Sequence, residues 1–154
     1  MAKFNFNDLL VDALANKAYG GIYVEDGSTA EASTDATPRR LVKFVSDMPA
    51  NNTTLAATSG TITCPYAGTY LVSATLSYNG TANKTFVIEV YKDTTATNIK
   101  VTSDSHASGE GESTAVSGLV TLTAGQALSL YHSSTDGGIA FTLTNAQFTA
   151  VRLL

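Results

Sequence analysis

The chain has 154 residues, enough for one domain with a sizeable core. Hydrophobic residues make up 44% and charged residues only 14%, with a net charge of −4, which points to a surface partly covered by other subunits. Arg39, Arg40 and Lys43 form the only basic cluster, too few cations for a phosphate backbone, so no nucleic-acid partner is expected. No apolar run approaches the ~20 residues that span a bilayer, so no membrane insertion is expected either.

The segment 1–18 is expected to be an anchoring arm, helical or extended, distinct from a head over 19–154. Asn7 or Asp8 can cap a short helix, and Leu9, Leu10, Ala13 and Leu14 recur at helical spacing behind Phe4 and Phe6. A helix this short is marginal alone, so it needs a surface to lie on. Asp8 and Asp12 interrupt any apolar signal-peptide core, which favours a protein made and kept in a cytoplasm. Gly21 to Glu25 reads as the first strand and Asp26 to Pro38 as a surface loop. Leu41 to Val45, Thr54 to Ala57 and Thr61 to Cys64 follow as short strands.

The long strand Thr69 to Tyr78 carries Tyr70, Val72, Ala74, Leu76 and Tyr78 on one face and hydroxyl residues mostly on the other. Asn79-Gly80 is a tight-turn signal, and Thr85 to Tyr91 is expected as the returning strand. Asp93 to Thr97 turns, Ile99 to Thr102 starts another strand, and Ser103 to Ser113 reads as a loop. Thr114 to Thr123 and Ala127 to His132 flank a turn at Ala124-Gly125. Asp136-Gly137-Gly138 turns again before Ile139 to Leu143 and Phe148 to Leu153, with a kink or bulge at 144–146. About ten short strands with turns every ~8–12 residues predict an all-β sandwich or jelly roll.

Gly60, Cys64, Pro65 and Gly68-Thr69-Tyr70, with Val116 to Leu122, Gly125, Leu128 to Tyr131, Phe148, Ala150 and Leu153, resemble the globular head of the complement recognition subcomponent. That head shares a jelly-roll fold with tumour necrosis factor, and the resemblance covers Tyr19 to Leu154. Its family usually has Gly where Ala150 stands. The resemblance implies a ten-stranded jelly roll that assembles as a homotrimer and is not an enzyme. Two segments that read as apolar on both faces point the same way, making Leu119, Leu128, Leu130 and Tyr131 candidate interface residues.

No catalytic or metal motif surrounds His106 or His132. Asp104, Glu110 and Glu112 share a loop, and some relatives in the resembled family bind calcium. The EF-hand pattern is absent, however, so a solvated loop is the better reading and no metal or cofactor is expected. Cys64, the only cysteine, excludes an intrachain disulfide and is expected to be a buried, inert thiol.

The expected function is structural: a bacteriophage virion protein, a capsid decoration or head-fibre trimer bound to the major capsid protein through Phe4, Phe6, Leu9, Leu10 and Leu14. The alternative is the tip of a phage tail fibre, with loops 26–38 and 103–113 binding a host surface glycan.

Overall fold

The computed structural model describes residues 16–27, 30–31, 35–106, 111–136 and 139–153. Phe4, Phe6, Leu9, Leu10 and Leu14 lie outside the described residues, as does Glu110. Eleven strands appear among the described residues: β1 (Tyr19–Val24), β2 (Arg39–Arg40), β3 (Ser46–Asp47), β4 (Thr54–Ala56), β5 (Thr61–Thr63), β6 (Gly68–Gly80), β7 (Lys84–Lys92), β8 (Thr95–Ser105), β9 (Gly111–Leu122), β10 (Ala127–Ser133) and β11 (Phe141–Arg152). They form two antiparallel sheets, β3-β1-β11-β6-β9 and β4-β5-β10-β7-β8, with β2 paired to β10.

The core lies between the sheets and is built by alternation. Tyr70, Val72, Ala74, Leu76 and Tyr78 of β6 all point inward and are buried, as do Phe86, Ile88 and Val90 of β7. One end of the core is aromatic. Tyr78 stacks on Phe141 at 4.8 Å between centroids and meets Phe86 edge-on at 5.3 Å, while His132 stacks on the Phe141 ring at 5.0 Å. Such offset and edge-on geometries suit the ring quadrupoles.

Four expectations need correction. The segment 41–45 is not a strand, although Leu41 and Phe44 are buried. The buried Glu31 carboxylate accepts the N–H groups of Val42 (3.1 Å) and Lys43 (2.9 Å), a cap that replaces a strand ladder. Desolvation pushes the Glu31 carboxyl above the usual range, against the lowering effect of those N–H bonds.

Asn79-Gly80 is not a hairpin turn either. Both residues continue β6, and a Cβ at Gly80 would press on the Phe86 ring at 2.8 Å, so this glycine serves close packing. β7 does not return beside β6; the chain crosses to the other sheet. The same holds for β9 and β10, which flank the expected turn at Ala124-Gly125 but lie in opposite sheets. Finally, the strands flanking the 103–113 loop reach further in, to Ser105 and from Gly111.

The irregularity expected at 144–146 is present as a register shift between Leu143 and Asn145. The turn at Gly60 closes a short 3-10 turn, Ala57–Ser59, with φ of +65°, a left-handed conformation natural to glycine.

Candidate functional site

Alternation that sends one set of side chains inward sends the other set out, and the two sheets differ sharply in what they present. The six-stranded sheet is charged outside. Glu89 of β7 faces Lys100 of β8, and Asp104 accepts a hydrogen bond from the Thr85 hydroxyl at 2.7 Å. Tyr131 lies on this face, half-buried, with its ring stacked on Tyr91 at 3.9 Å. The Arg40 guanidinium sits 5.7 Å from the Tyr131 centroid, and its Nη2 donates to the Tyr131 hydroxyl at 3.3 Å. This is a solvated face with local pairs.

The five-stranded sheet is different. Across β1, β11, β6 and β9 its outward side chains carry no charge. They fall into two zones. Nearest the start of β1 lies a row of cross-strand neighbours: Tyr19 opposite Val151, Val151 opposite Leu71, and Leu71 opposite Leu119. All four are exposed, with Leu119 at 60%. Leu153, 49% exposed, extends the apolar zone at the same end, where its N–H bonds the Thr69 carbonyl at 2.8 Å.

Further along, the face turns to hydroxyls and amides: Ser73, Thr75 and Ser77 on β6, Ser113 and Ser117 on β9, Gln147 and Asn145 on β11. There a groove of about 580 Å³ opens beside the bulge, lined by Thr75, Ser77, Ser113, Asn145 and Gln147, with Glu25 on its rim. Ser77 and Ser113 bond each other across it at 2.9 Å.

An apolar row among uncharged outward side chains has the composition of an interface core, where charge is depleted and a few apolar anchors concentrate. Four strands at about 4.8 Å spacing and nine residues from Thr69 to Ser77 at about 3.3 Å rise give a flat footprint of roughly 600 Å², about three-quarters of the ~800 Å² per partner of a standard interface.

The candidate interface residues scatter. Leu119 belongs to the row. Leu128 and Leu130 are fully buried inside the sandwich, and this corrects their reading as contacts with a neighbour. They share one parity on β10 with His132, so that strand is apolar on its inner face alone. Leu119 and Tyr131 stand on opposite faces of the molecule, so a single flat contact cannot use both. Tyr19, Leu71 and Val151 escaped the sequence reading because only strand register lines them up.

The remaining candidate chemistry is dispersed. His106 is largely exposed, with its Nδ1 3.4 Å from Glu112. Asp104 and Glu112 do not gather into a cluster of three metal-ligating groups, and none is found among the described residues. His132 is buried and its pKa is pushed down to about 4, first by desolvation and then by the Arg39 charge. Cys64 is buried, and desolvation pushes its thiol up to about 12. No helix among the described residues is long and apolar enough to cross a membrane.

No protein-family model matches the sequence, and no curated protein does. Solved structures do match. The chain is similar to the globular domain of zebrafish complement 1qA protein, with a TM-score of 0.61 and 18% identity over 90% of this chain and 98% of that one. It is also similar to the Eiger TNF structure from S. frugiperda, with a TM-score of 0.55 and 19% identity over 90% of this chain and 92% of that one. At such identities the likeness is one of fold: this chain is an all-β jelly roll of the kind shared by the complement globular domain and tumour necrosis factor.

Proposed function

We propose that this protein is a non-enzymatic assembly module that works as a homotrimer, buried on the outward face of its five-stranded sheet. The observation that carries this reading is the row Tyr19–Val151–Leu71–Leu119 on a face where the outward side chains of β1, β11, β6 and β9 carry no charge. Exposed in a monomer, those side chains would be a persistent liability; they are 41–60% exposed, so burial against a second copy would add about half of the ~1.5–3 kcal/mol of a whole side chain each. The jelly-roll likeness supports a threefold arrangement by analogy of fold.

Capsid decoration belongs to the same proposal and rests on the sequence: a compact head joined to an apolar segment, Phe4 to Leu14, that gives a virion lattice something to hold. Three such segments on one assembly would add avidity without a strong single contact.

Sedimentation tests the assembly. The native protein is expected at about three times 16.0 kDa. The double variant Leu71→Asp/Leu119→Asp is expected at the monomer mass with unchanged far-UV circular dichroism, because both side chains are outside the core. A monomeric native protein, or a double variant that still assembles, would refute it. Deleting residues 1–15 tests attachment: the head should still assemble and should lose binding to capsids.

A further inference from the structure

Where the chain enters the head it is gripped from several sides. The Arg152 guanidinium donates from Nη1 to the Asn16 carbonyl at 3.0 Å, and from Nε (3.2 Å) and Nη2 (2.9 Å) to the Ala67 carbonyl. Its face lies 5.6 Å from the Tyr66 ring centroid. No ion pair joins it to a carboxylate among the described residues. The Lys17 carbonyl accepts two side-chain amides, from Asn51 at 2.7 Å and Asn52 at 2.8 Å. The Ala18 carbonyl accepts the Arg152 N–H at 2.8 Å. Three consecutive carbonyls, of residues 16, 17 and 18, are thus each held by a donor distant in sequence.

This is more than ordinary strand pairing demands. Ladder bonds with β11 and the exchange between Tyr19 and Asn51 already fix β1. The carbonyls that accept the extra bonds lie one to three residues before it. A guanidinium fork spent wholly on backbone carbonyls holds direction as well as position, since its planar donors accept few orientations.

We infer that Arg152, with Asn51 and Asn52, makes residues 16–18 a fixed joint rather than a hinge at the entry to β1. The joint sits at the apolar end of the five-stranded sheet: Tyr19, the next residue, is the first member of the exposed row. Copies packed through that row therefore bring their joints together at one end. The gathering at one pole rests on the threefold reading above; the joint does not.

Two readouts separate these claims. Lys17 carries a trypsin site with an exposed side chain and a locked carbonyl. In the full-length native protein the Lys17–Ala18 bond should resist trypsin, and Arg152→Met should be cut there at least about tenfold faster, because local opening governs cleavage of native protein. If Arg152→Met fails to fold, Asn51→Ala/Asn52→Ala releases the Lys17 carbonyl and should give the same acceleration. Equal rates in native protein and folded variant overturn the joint.

The second readout is a spin label on Asn16→Cys, where the buried Cys64 leaves one accessible thiol. Pulsed dipolar spectroscopy should give a narrow distance distribution between copies, broadened in Arg152→Met. A broad distribution in an assembled native protein also overturns the joint. Absence of any distance together with a monomer mass instead refutes the threefold reading and leaves the joint to be judged by trypsin.

Discussion

Lowering the pH from about 7.5 to 4 should weaken this fold through one buried ring. His132 is 1% exposed and stacks on Phe141 in the aromatic end of the core. Burial holds its pKa at about 4, against 6.5 for the ordinary imidazole. The folded state therefore keeps the ring neutral while the unfolded chain takes a proton below 6.5. The sign follows: stability attributable to His132 is full above pH 6.5, falls as the pH drops below it, and levels off below about 4.

A gap of about 2.5 units at about 1.36 kcal/mol each amounts to roughly 3 kcal/mol, a large share of the ~5–15 kcal/mol typical of a domain. Arg39 adds to the depression and Asp35 opposes it, and the two are themselves paired at 3.1 Å. Glu31 works in the opposite sense, since a raised carboxyl pKa gains relative stability on acidification.

The test is therefore a difference. Urea unfolding of native protein and His132→Phe is measured at fixed protein concentration across this range, since the proposed assembly would make stability concentration-dependent. The native protein should lose about 3 kcal/mol more than the variant, in which a ring still faces Phe141 but cannot titrate. Parallel pH curves for the two proteins would refute the claim that burial holds the imidazole neutral.

Gly60→Ala should destabilise by about 2–4 kcal/mol in the same assay, because alanine resists the left-handed backbone and its Cβ would run into the Leu41 carbonyl oxygen. A loss below about 1 kcal/mol would show that the turn relaxes freely. Cys64, with its thiol pushed up to about 12, should react with thiol reagents only on unfolding, and Cys64→Ser should cost on the order of 1–3 kcal/mol. Stoichiometric labelling of native protein within seconds would contradict the burial.

The sequence spoke clearly wherever the signal was local. Alternation from Tyr70 to Tyr78 identified β6 and its inward face, and the irregularity at 144–146 was readable from the break in the apolar pattern. The turn at Ala124-Gly125 agrees with a φ of +84° at Gly125. Pairing was not local and was misread. Alternation states which face of a strand is buried and nothing about which strand lies beside it, so β6 and β7 looked like a hairpin.

The segment 41–45 failed for a related reason, since its extended apolar pattern is satisfied by a cap from Glu31, ten residues earlier than Leu41. The exposed row was hidden most deeply. Tyr19, Leu71, Leu119 and Val151 are ordinary residues until register sets them side by side.

The order of the five-stranded sheet has a consequence for synthesis. β11, the last of the jelly-roll strands in chain order, sits at its middle, between β1 and β6. Until Val151 arrives, Tyr19 and Leu71 have nothing between them, and the apolar row does not exist. A nascent chain can pair β6 with β9 early, but the apolar row forms only after β11 has emerged. Chains cut short before β11 should therefore lack the row, and with it the surface through which the proposed assembly forms.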